Sequence, residues 1–298
     1  MFPRLQYITF QLVLILALGL SACASFSGPT ATPTPAEPTQ TPIPPTSTPP
    51  PLAAVVNGEW ITETEFQAEL DRYLAAGQAL GNEVDSDDAA QVVLDDLIAQ
   101  VLLAQAARDD GFEITESDLE SRIESLASQV GGMDALAAWQ SEHGYTEESF
   151  QSALRRAAEA AWMRDKIIMA VPGTAEQVHA QQILLYNEDI ARQVSNQLKA
   201  GADFADLAAL YDPNAGGELG WFPRAYLLEP ELEEAAFSLE PGQYSDVIET
   251  EVGYHILLVL ERDPQHQLSP DAYLVMQEKA LQDWLAQKRD ESKIVLAP

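Results

Sequence analysis

Ten prolines and seven threonines fall within the 23 residues from Pro29 to Pro51, and this tract fixes where a fold can begin. Proline lacks the amide proton that helix interiors and central strands need, and its ring holds φ near −65°. With almost nothing apolar to bury, the tract has to stay extended and solvated. In a polyproline II conformation, at about 3.1 Å per residue, it spans ~70 Å. The plain reading is a spacer; a ligand for a proline-binding module is the sharper alternative. A packed body is therefore expected from residue 52 to residue 298, enough chain for two ordinary domains with their own cores.

Upstream of the tract, residues 1–11 carry one base, Arg4, and no acid. The thirteen residues from Ile8 to Leu20 are almost wholly apolar. As a helix they would cover only ~20 Å, short of a ~30 Å hydrocarbon core, which suits the apolar region of a secretory signal. Leu20-Ser21-Ala22-Cys23 follows directly and resembles the lipobox of bacterial lipoproteins. The resemblance implies a signal peptide over 1–22, a lipidated Cys23, a linker over 23–51, and a body held outside the cytoplasm on a membrane by its lipid. An ordinary signal with an incidental cysteine, or an uncleaved anchor, is the alternative. Cys23 is the chain's one cysteine, so no disulfide competes for it.

Charge narrows the function classes. There are 47 acids against 16 bases, a formal net charge of −31. Phosphate contacts need lysine and arginine in excess, so nucleic acid is not an expected partner. Residues 52–150 hold 22 of the acids and three bases, and such a surface tolerates or attracts basic unfolded chains. The four histidines (His143, His179, His255, His266) are scattered, and neither CxxC nor HExxH occurs, so no metal site is expected. No glycine-rich phosphate loop is present either, and no cofactor is expected.

The periodicity divides the body. Thr62 and Glu65 have capping-box spacing, and Phe66, Leu70, Tyr73 and Leu74 share one helical face. Gly77–Asp88 reads as a loop. Val92–Leu103 is a heavily apolar helix, and further helices are expected after Ile114 and from Thr146 to about Ile168. Residues 52–172 thus read as a helical domain. Val171-Pro172-Gly173 breaks the pattern, and residues 173–263 read as an α+β module in the order β-α-α-α-β-β, with strands at Gln177–Tyr186, Ser245–Glu249 and His255–Leu260. After Pro264 the chain returns to helix. Tyr273, Met276, Ala280, Leu281, Trp284 and Leu285 form an apolar stripe, expected to dock on the first helical domain.

The segments VHAQQILL, ADFADLAALY, GGELGWF, LEEAAFSLEPGQYSDVI and GYHILLV, in that order over about 85 residues, resemble a parvulin-type peptidyl-prolyl isomerase domain. The flanks VVNGEWITETEF and LDDLIAQVLLAQAARDDGFEIT, with the C-terminal helix, resemble the chaperone domain of SurA- and PrsA-type foldases. The resemblance implies an α+β fold in which a parvulin-like module is inserted in a mostly helical chaperone domain. It implies an extracytoplasmic rotamase whose partners are unfolded or newly exported polypeptides containing X-Pro bonds.

The residues can be weighed against that chemistry. Rotation about an X-Pro bond crosses a barrier near ~20 kcal/mol, and no covalent step is needed to lower it. The enzyme must hold the proline ring in apolar surroundings and favour the twisted amide. The family's ring pocket of Leu, Met and Phe maps onto Leu219, then Leu227 or Leu228, and Leu232. Of the family's two facing histidines, the second matches His255 and the first falls at Gln182, which hydrogen-bonds but does not titrate. The family's loop Cys or Asp leaves only Asp212, in a loop several residues short, and Thr250 matches a hydroxyl residue beside the second histidine. His179, three residues before Gln182, is expected to point the opposite way, toward solvent. These departures leave two readings open: an active isomerase, and a holdase whose module binds clients but turns over poorly.

Overall fold

The computed structural model describes residues 50–82 and 85–297. The expected signal, lipidated Cys23 and most of the linker lie outside these residues. The described chain forms a helical body and an α+β module, so the α+β class holds.

The body begins with a hairpin, β1 (Leu52–Val56) and β2 (Glu59–Thr62), turned at Asn57-Gly58. The helices α1 (Glu63–Ala79), α2 (Ser86–Asp109), α3 (Glu116–Val130), α4 (Met133–Glu142) and α5 (Glu147–Met169) follow. Capping follows from sequence: Thr62, Asp85, Thr115 and Thr146 each accept a first-turn amide on their side-chain oxygen. The expected loop from Gly77 is shorter than its glycine suggests, because α1 continues through Gly77 to Ala79. α4 was not expected: two glycines precede it and it is only ten residues long. α2 is long and apolar enough to cross a membrane by composition alone, but Val93, Leu97, Ile98, Val101 and Leu102 form a core with β1 and β2.

The module comprises β3 (Thr174–Leu185), α6 (Glu188–Lys199), α7 (Phe204–Tyr211), β4 (Glu218–Pro223), α8 (Pro230–Ser238), β5 (Ile248–Glu249) and β6 (Tyr254–Gln267). The expected order lacked β4. Its stretch holds Gly216, Gly217 and Gly220, all at positive φ, and glycine clusters ordinarily signal a loop. The strand expected at Ser245–Glu249 shortens to Ile248–Glu249, and β6 runs past Pro264 to Gln267, so the last helix starts at Pro270. The antiparallel sheet has the order β4-β3-β6-β5. One face carries Val178, Ala180, Phe222, Leu257 and Val259 under α8; the other carries Ile183, Leu185 and Ile256 under α6 and α7. Phe222 is fully buried, and a side chain of that size contributes about 1.5–3 kcal/mol on burial.

α9 (Pro270–Glu291) returns to the body as expected: Leu281, Trp284 and Leu285 pack on Leu103, Ala107, Ala160 and Met163 of α2 and α5. The short β7 (Ile294–Leu296), too brief to show periodicity, then pairs with β1, Val55 opposite Val295. Arg108 on α2 bonds Glu159 of α5 at 2.5 Å and Glu59 of β2 at 2.6 Å, and Glu159 is only 2% exposed.

Candidate active site

The two central strands of the module, β3 and β6, bring Gln182 and His255 together. Gln182 lies opposite Leu257, and His255 lies opposite Leu184 on β3 and Ile248 on β5, so all of them share the face beneath α8. His255 Nδ1 is 2.9 Å from Gln182 Oε1, and His255 Nε2 is 3.0 Å from Thr250 Oγ1. An amide oxygen only accepts, so Nδ1 carries the proton; the Thr250 hydroxyl faces two acceptors, His255 Nε2 at 3.0 Å and Gly253 O at 3.3 Å, and Gly253 O already accepts the Thr250 amide at 2.8 Å. Thr250 Oγ1 in turn accepts the amides of Val252 and Gly253 at 3.1 and 3.3 Å. With the hydroxyl proton on the nearer acceptor, Nε2, the imidazole is neutral.

Burial favours the same state. His255 is 3% exposed, and desolvation pushes its pKa below the ordinary value. The unfolded chain takes up this proton near pH ~6.5, the folded chain only at lower pH. His255 thus contributes stability above pH ~6.5, which is lost as pH falls toward its folded pKa. An NMR titration of the histidine ring protons should place the His255 midpoint below ~6.5; a midpoint at or above that value would contradict the neutral network.

Asp212 ends α7 and is not bonded to His255. Its carboxylate accepts the amides of Asn214, Ala215 and Gly217 at 3.3, 3.1 and 3.1 Å, and the bonds from Ala215 and Gly217 hold its pKa below the usual carboxylate range. It shapes the loop that reaches Gln182: the Gln182 amide donates to Gly217 O at 2.8 Å. Gly217 sits at φ +71, and a β-carbon there would overlap the carbonyl oxygen of Gln182. Sequence reasoning did not single out this glycine as a site residue, although the Gly-Gly pair before a strand was its signal. Gly253 does the same on the other side, where a β-carbon would lie 2.6 Å from Leu185 O.

The leucines separate. Leu232 is buried in the α8 cluster, and Leu219 and Leu227 pack partly buried against it. Leu228 is 75% exposed, whereas Leu227 is partly buried in that cluster. These side chains make an apolar floor beside the polar chain Gln182–His255–Thr250. Two cavities of about 440 and 370 Å3 lie elsewhere, beside Lys199 and Asp246. His179 points away from Gln182 as expected, but it is not free in solvent: it stacks on Trp221 and lies 2.5 Å from Glu218.

Residues 167–261, which hold this polar pair and the apolar side chains at its flank, match the PPIC-type PPIase domain family, a rotamase class. Residues 7–163, more than half of the chain, match the SurA-like N-terminal domain family. The chain belongs to the family of PrsA-type foldases with a SurA-like helical body. Among its relatives, the foldase protein PrsA of Halalkalibacterium halodurans is 30% identical over 68% of this chain and 65% of its own length. The foldase protein PrsA 2 of Listeria innocua is 32% identical over 62% of this chain and 70% of its own. The chain thus spans about two thirds of the length of these two relatives. The crystal structure of a PrsA peptidylprolyl isomerase from Bacillus cereus aligns over 82% of this chain and 87% of its own, at 22% identity and a TM-score of 0.42.

Proposed function

We propose that the chain is an extracytoplasmic foldase that catalyses cis–trans isomerisation of X-Pro bonds in newly exported polypeptides. The observation that carries this reading is the hydrogen-bonded chain Gln182–His255–Thr250 set on the same sheet face as Leu219 and Leu227. The leucines offer apolar contact to a pyrrolidine ring. The polar chain, fixed by backbone bonds on both strands, presents oriented dipoles to the imide without a covalent step. The chemistry needs neither metal nor cofactor. A prolyl tetrapeptide assay on the purified chain tests the proposal: acceleration above the uncatalysed rate supports it, and a rate at background counts against it.

A second reading, a holdase that binds clients without turnover, is favoured by Gln182 standing where the family has histidine and by Leu232 being already packed at 6% exposure. Background isomerisation together with suppressed aggregation of an unfolded client would select it.

The membrane proposal rests on the sequence around Cys23. Cys23→Ser is expected to move the protein from the membrane fraction to the soluble one. Retention of the serine variant on membranes would count against a lipid anchor.

A further inference from the structure

Gln182 has a donor with no partner among the described residues. Its Oε1 accepts from His255 Nδ1, and its backbone amide is bound to Gly217 O. His255 and Thr250 are engaged with Gln182, with each other, with the amides of Val252 and Gly253 and, from the Thr250 hydroxyl, with Gly253 O at 3.3 Å. The side-chain Nε2 of Gln182 carries two hydrogens and, among the described residues, makes no hydrogen bond. Gln182 is half-buried, on the face shared with Leu219 and Leu227. The backbone bond fixes the strand position of Gln182, and the contact of Oε1 with His255 Nδ1 sets the side-chain amide, leaving its N–H groups on the side away from that contact.

We infer that Gln182 is a catalytic residue whose Nε2–H donates to the imide nitrogen of the X-Pro bond as that nitrogen turns pyramidal. This rests on the isomerase reading of the same site. In the planar ground state the nitrogen lone pair is delocalised into the carbonyl and accepts poorly. In the twisted state the lone pair is localised and accepts well. A donor placed there binds the transition state more tightly than the substrate, which is the condition for a gain in rate rather than in affinity. No bond forms or breaks and no proton is transferred; the C–N bond only rotates. His255 acts behind it as a positioning residue by fixing Oε1. A neutral amide suits this task, since it offers a donor at every pH.

Gln182→Glu isolates the claim, because the carboxylate keeps the acceptor for His255 Nδ1 and loses the donor. Gln182→Met removes the polar group at similar length. Each is compared with the parent chain by NMR exchange on a prolyl tetrapeptide at pH 8, alongside peptide affinity by calorimetry and a thermal melt. The expected result is a fall in kcat of about tenfold or more in both variants, corresponding to one lost hydrogen bond, with affinity changed less than about twofold. If either variant folds and retains the parent's kcat, the inference is overturned while the isomerase reading stands. If the parent chain itself is at background, both fall.

Discussion

Gly217→Ala is expected to destabilise the module by at least about 3 kcal/mol and to abolish whatever activity depends on Gln182. A left-handed backbone costs an L-residue roughly 1–2 kcal/mol by itself. Here φ is +71 and the new methyl overlaps the Gln182 carbonyl oxygen, so the Gln182–Gly217 backbone bond must break. Gly216→Ala is the matched control: its φ is +62, but nothing lies within 4 Å of a β-carbon there. It should cost only the backbone term of about 1–2 kcal/mol. Urea unfolding of the two variants measures the difference. Equal midpoints would show that the strand β3 carbonyl yields freely, and would remove the steric argument.

Arg108→Ala is expected to cost about 3 kcal/mol or more. It strands Glu159, 2% exposed, between α2 and α5 and releases Glu59 of β2. Gln105 donates to Val56 O and Glu59 in the same cluster, so the loss reaches the β1–β2 hairpin. Replacing both members, Arg108→Met with Glu159→Leu, should recover most of the loss, because apolar packing between helices needs no partner for a buried charge. Chemical denaturation of the single and double variants checks this. A double variant as weak as the single one would mean that helix packing, not the stranded carboxylate, sets the cost.

How much of this was legible in the sequence differs by element. β3 and β6 announced themselves through Ile183-Leu184-Leu185 and His255–Leu260, whereas the juxtaposition of Gln182 and His255 was implied by the family resemblance, and the register of the two strands places them as diagonal neighbours. α9 was legible because its apolar stripe needed a partner. β4 was not, because glycines that permit close approach to β3 look like loop glycines when the neighbouring strand is unseen. Asp212 was legible as an acid but not as a loop-forming one, since its three amide donors arrive from backbone geometry. Leu227 and Leu228 look alike in sequence, and their different burial is set by tertiary packing. His179 was placed on the correct face, but its stack on Trp221 required β4 to exist.

The pairing of β1 with β7 acts as a clasp between residues more than two hundred positions apart: Asn57 Nδ2 reaches Ser292 Oγ, 235 residues away. A ribosome delivers the second half of that clasp more than two hundred residues after the first. Until Ile294–Leu296 arrive, β1 is an edge with unanswered amides, an invitation to pair with another chain. The inserted module escapes this delay, because Thr174 and Gln267 lie side by side and close its own boundary. During synthesis the rotamase unit can therefore be finished before its scaffold, and a chain stopped before Ile294 would carry an intact module on a body without this pairing.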